Sequence, residues 1–126
     1  MNTTRIKYLR YALIIVGLIS LFGVYPLTIL WPAGFVWHQH GSDSAYLQMI
    51  IGIYATLGVF LLLAARNPEE HLSLIWFAVW SSVVHAGIMA VQAVTYPGQM
   101  THLYGDVALL LIAAAVLGWL TPRRPA

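Results

Sequence analysis

Apolar residues recur in four blocks, roughly 11–31, 46–65, 72–94 and 104–120, with short polar segments between them. A membrane-crossing helix needs about 20 predominantly apolar residues at about 1.5 Å rise each. Three blocks meet that length, and the fourth does so if it begins near His102. The pattern predicts an all-α chain: a single integral membrane domain over residues 1–126, folded as an antiparallel four-helix bundle with short connections.

The third block, LSLIWFAVWSSVVHAGIMAVQAV, carries the most polarity in its interior. At about 100° per residue, Ser81, His85, Ile88 and Gln92 fall on one side of a helix, with Ser82 beside them. Strongly polar groups inside a span are expensive and require partners, so this stripe is the clearest pointer to chemistry. Ordering the spans by depth places Tyr25, Thr28, Gln48, His85, Gln92, Tyr104 and Asp106 in one half of the bundle. Ser20, Ser81 and Ser82 fall in the other. If the stripes face inward, these residues form an interhelical polar network or line a pocket, and Tyr25, Gln48, Ser81, Ser82, His85, Gln92 and Asp106 are the site candidates.

Small residues set the expected packing. Gly17, Ser20, Val24 and Thr28 lie near one face of the first block, and Gln48, Gly52 and Ala55 share a face of the second. Ala86 and Ala90 offer a second close-packing surface on the third, suited to a homo-oligomer or a larger membrane complex. Trp76 and Trp80 lie off the polar stripe, facing lipid or a neighbouring subunit. Pro26 lacks an N–H and crowds the carbonyl of Phe22, so a kink is expected there. Glu69 and Glu70 sit where the third helix begins and suit its N-terminal dipole. Pro97-Gly98 marks a turn, and His102 and Asp106 are one helical turn apart.

Composition agrees with the pattern. Of 126 residues, 60% are hydrophobic and 8% charged, where a soluble domain carries about 25% charged. The formal charge of +2 does not indicate nucleic acid, because the basic residues do not cluster as a binding face. Arg5, Lys7 and Arg10 precede the first block, Arg66 lies between the second and third, and Arg123 and Arg124 follow the fourth. With four spans, all six lie on one side, so both termini are expected in the cytoplasm. Arg5, Lys7 and Arg10 before an apolar run also resemble a signal peptide. That run is long, contains Pro26 and has no A-x-A after it, so a retained helix is expected.

There is no cysteine, hence no disulfide and no thiolate metal site. His38 and His40 flank Gln39 in the first outer loop with Asp43 close by, but two histidines make an incomplete metal pair. A shallow metal site would draw on His38, His40, His102 and Asp106, although none is assigned; His85 lies too deep to join His38 and His40 without loop insertion. A neutral His85 can exchange a proton, bind haem or hold a ligand carbonyl. Against haem, no second histidine occupies a span at similar depth. Against hydrolysis, no Ser-His-Asp order or nucleophile turn is present. The reading is a small membrane protein, accessory or binding a small apolar molecule, partnered by the lipid bilayer and by no nucleic acid. The alternative is a haem- or metal-binding redox protein, or a membrane enzyme, using His85 or the outer histidines. No cofactor is assigned.

The segments MIIGIYATLGVFLLLAARNP, SLIWFAVWSSVVHAGIMAVQA and HLYGDVALLL resemble uncharacterised small bacterial membrane proteins with four spans, over residues 26–123. WSSVVHAGIMAVQ and YGD are the more specific parts. More distantly, the spacing of Gly52 and Gly58 and the LLLAARNP turn resemble DoxX-like four-helix membrane proteins. The resemblance implies the four-span architecture and a bacterial inner membrane, with no catalytic assignment, cofactor or substrate.

Overall fold

The computed structural model describes residues 3–35 and 45–123. Among these the chain is helical, with no strand. The long helices are α1 (Thr3–Leu30), α2 (Ala45–Ala64), α3 (Leu72–Thr95) and α4 (Asp106–Leu120). A single helical turn, Pro32–Phe35, follows α1, and 3-10 turns Pro68–His71 and Met100–Leu103 lead into α3 and α4. Thr3–Leu30, Pro68–Thr95 and Met100–Leu120 are each long and apolar enough to cross a membrane. Four such helices are expected from the pattern; α2 contributes a shorter apolar stretch, Gln48–Ala64.

The perturbation at Pro26 takes the form of a π-helical turn, Ile19–Gly23, just upstream. Val24 donates its N–H to the Ile19 carbonyl, five residues back. Pro26 has no N–H for the usual ladder and its ring crowds the preceding turn, so a wider turn there relieves the mismatch. Pro68 opens its 3-10 turn at a position where its missing N–H leaves no bond unmade, with Glu69 and Glu70 in the first turn near the positive end of the dipole. Gly98, at φ 81°, makes the reversal after α3.

The helices meet most tightly at one end. Leu9 and Leu13 from the start of α1, Leu61 and Ala64 from the end of α2, Ile75 from the start of α3 and Leu117 from the end of α4 form one buried apolar cluster. This alternation of starts and ends makes sequential helices antiparallel. Arg5 ties the cluster together: its Nε donates to the Leu120 carbonyl at 3.1 Å and its Nη2 to that of Trp119. A cation thereby satisfies carbonyls left open at the C-terminus of α4. Trp76, expected to face outward, turns in and donates its indole N–H to the Pro122 carbonyl at 3.1 Å, whereas Trp80 is exposed. At the other end a smaller cluster joins Ala86 and Met89 of α3 to Val107 of α4, with Ala90 packed against it. The alanine pair therefore serves the α3–α4 contact.

α1 and α2 approach closely at a pair of glycines. A Cβ on Gly58 would lie 2.6 Å from the Gly17 carbonyl oxygen, and one on Gly17 would lie 3.0 Å from that of Gly58. α3 packs extensively on α4 and α1 on α2, while α2 and α3 touch only lightly. That uneven packing leaves space among the helices between the two apolar clusters.

A candidate ligand-binding cavity

The space is a cavity of about 290 Å³ bounded by all four long helices and by Phe35. Val16, Ile19, Ile51, Leu57, Leu109 and Leu110 supply much of its apolar wall. The π turn places Ile19 and Ser20 against it, and Val24 follows at the next turn. Six lining residues carry side-chain polar groups: Ser20, Tyr54, Ser82, His85, Gln92 and Asp106. A mostly apolar concavity with a few polar groups is the usual character of a small-molecule site, and this volume stands at the small end of the range.

The polar groups are organised as two pairs. Tyr54 on α2 hydrogen-bonds through its hydroxyl to Nδ1 of His85 on α3. Their rings stack with centroids 5.7 Å apart and planes inclined by 22°. This bond spans the lightly packed α2–α3 seam, where few apolar contacts fix the helices. The second pair lies at the start of α4. His102 is fully buried, and its Nδ1 is 3.1 Å from both carboxylate oxygens of Asp106. Asp106 lines the cavity and His102 backs it. Ser82 is buried from outside, and its hydroxyl makes no hydrogen bond to the described residues.

Of the residues named from sequence, Ser82, His85, Gln92 and Asp106 line the cavity. Tyr25 is exposed, with its carbonyl accepting the Thr28 hydroxyl, and Gln48 is exposed near the start of α2; neither lines the cavity. Ser81 is half-buried and donates its hydroxyl to the Ala78 carbonyl of its own helix at 3.3 Å. Ile88 is exposed and Met89 takes its place on the cavity face. The stripe is thus Ser82, His85, Met89 and Gln92, rotated slightly from the one drawn through Ser81 and Ile88. His38 and His40 lie outside the described residues. Among the described residues no three histidine, aspartate or glutamate side chains converge as a metal-binding set, and His102 and Asp106 are held by one another.

Tyr54 is the site residue that the sequence reading passed over. Its signal is positional: Ile51, Tyr54 and Leu61 recur at helical spacing, and all three line the cavity.

A family model matches residues 3–124, which takes in every element that bounds the cavity. The chain belongs to DUF6632, a family of unknown function. No curated protein and no solved structure matches it. Membership therefore brings no substrate or cofactor with it, and the chemistry of this DUF6632 chain rests on its own cavity.

Proposed function

We propose that this is a four-span membrane protein that binds a small, largely apolar molecule in the cavity among its helices. The observation that carries the reading is the cavity itself: apolar walls from four helices, with Ser82, His85 and Gln92 on one stripe and Tyr54 opposite. Its setting supports a bilayer. Large apolar side chains cover the exterior, including Phe22, Leu30, Trp80 and Trp119, and such a surface needs an apolar solvent or a partner. Arg5, Arg66 and Arg123 all follow or precede helix ends that meet in one cluster. That asymmetry is the kind a cytoplasmic face carries and supports the reading of both termini inside, in a bacterial inner membrane.

A neutral apolar compound would reach such a cavity from the lipid, and the lightly packed α2–α3 seam is the candidate route. The test is to purify the protein in mild detergent and identify small molecules that remain bound by native mass spectrometry. Expected is a small uncharged species retained by the wild type and lost in His85→Ala and Gln92→Ala. A visible haem band that disappears in His85→Ala would overturn this reading, as would an empty wild-type protein that takes up no apolar compound.

A further inference from the structure

We propose that the ligand's polar end is a carbonyl oxygen on an uncharged body, received by the Nε2–H of His85, and that Tyr54 acts as the positioning residue that makes this nitrogen a donor. The proposal rests on the cavity reading above and specifies its ligand class.

The chain of reasoning starts at the phenol. The Tyr54 hydroxyl carries one proton, and leaving that proton without an acceptor is costly for a half-buried group. Among the described residues its hydrogen-bond partner is Nδ1 of His85. If Nδ1 carried the proton, that N–H would point at the phenol oxygen and the phenol proton would have no acceptor among the described residues. If the phenol donates, both groups are satisfied. Nδ1 is then an acceptor, and a neutral imidazole has its hydrogen on Nε2. His85 lines the cavity, and Nε2 has no hydrogen-bond partner among the described residues.

The neighbours narrow the class further. Ser82 lies one turn before His85 on the cavity face and offers a second donor, its O–H. Two donors match the two lone pairs of one carbonyl oxygen. Asp106 lines the same cavity, so a carboxylate ligand would meet a like charge. An ammonium ligand would be drawn to Asp106, but both oxygens of that carboxylate already lie 3.1 Å from His102 Nδ1, and at His85 the ammonium would meet a donor where it requires an acceptor. The remaining walls are aliphatic and favour an uncharged hydrocarbon body.

The test uses the full-length protein in lipid nanodiscs with three probes of similar length: methyl octyl ketone, decane and decanoate. Isotope labelling at the ketone carbon isolates its C=O stretch in infrared difference spectra. The bound ketone should show this band lowered relative to ketone dissolved in protein-free nanodiscs, and should bind about tenfold more tightly than decane, as one neutral hydrogen bond supports. His85→Phe should erase both the band shift and the preference. Nitrogen NMR of histidine-labelled wild type gives a readout that does not depend on that variant folding. One neutral imidazole should be protonated at Nε2, and Tyr54→Phe should shift that resonance toward a tautomer mixture while weakening the band shift. Decane or decanoate binding as tightly as ketone, an unshifted ketone band, or Nδ1 protonation would overturn the inference while leaving the cavity reading intact. Failure of all three probes to bind would overturn both.

Discussion

Replacing Gly58 by alanine tests the contact that holds the cavity's front wall together. The added Cβ would lie 2.6 Å from the Gly17 carbonyl oxygen and 2.8 Å from the Leu21 backbone nitrogen. Both are backbone atoms, so no rotamer change relieves the clash, and the α1–α2 crossing must open. Overpacking of this kind costs about 1–3 kcal/mol. The better helix propensity of alanine returns about 1 kcal/mol, leaving a net loss of about 0–2 kcal/mol. Gly52 is the internal control. It lies on the same helix with nothing within 4 Å of its would-be Cβ, so Gly52→Ala should be neutral or stabilise by up to about 1 kcal/mol. Unfolding in mixed detergent micelles, followed by circular dichroism, compares the two. Because Val16 and Ile19 on α1 and Leu57 and Leu61 on α2 all line the cavity, Gly58→Ala should also weaken ligand retention. Equal stability of the two variants would show that α1 and α2 do not cross at Gly17 and Gly58.

Three further substitutions probe separate parts of the frame. Arg5→Ala removes the donors to the Leu120 and Trp119 carbonyls and should cost about 1 kcal/mol in the same unfolding assay, with Arg5→Lys recovering part of it. Asp106→Leu leaves the fully buried His102 without its carboxylate and should destabilise by about 2 kcal/mol, a loss that His102→Leu in the same chain should largely reverse. Gln99 is 5% exposed and, among the described residues, its side-chain oxygen has no hydrogen-bond partner. Gln99→Met should therefore raise stability by about 1 kcal/mol, and a fall in stability would refute that account of the group.

The helices were legible in the sequence because each is an unbroken apolar block, and their ends follow from turn chemistry. Pro68 opens the turn before α3, and Gly98 supplies the positive φ after it. Rotation about each helix axis was much less legible. Ser81 and Ser82 both qualified as inward polar groups, but Ser81 bonds to the carbonyl of Ala78 and needs no partner from another helix. On α2 the polar Gln48 suggested a face shared with Gly52 and Ala55. Gln48 and Gly52 are exposed, whereas Tyr54 and Gly58, six and ten residues after Gln48, point to the neighbouring helices.

The physical reason is general to a chain whose outside is as apolar as its inside. In a soluble helix the polar face marks solvent and fixes the phase. Here Phe77, Val84 and Ile88 are exposed while Ile75, Ala78 and Ala86 are buried, all on α3, and hydrophobicity does not separate the two sets. Phase is carried instead by features that act only in pairs: Gly17 with Gly58, Tyr54 with His85, His102 with Asp106. Neither member of a pair announces its partner along the chain, so the site emerges only when the helices are set side by side. Pairing also separates structural from functional polarity. His102 and Asp106 engage one another at the base of α4, and that bond is sufficient reason for both residues. His85 differs, because Tyr54 occupies one ring nitrogen and leaves the other beside an apolar cavity. A tie between α2 and α3 requires only the first nitrogen; the second is the one the proposed ligand would engage.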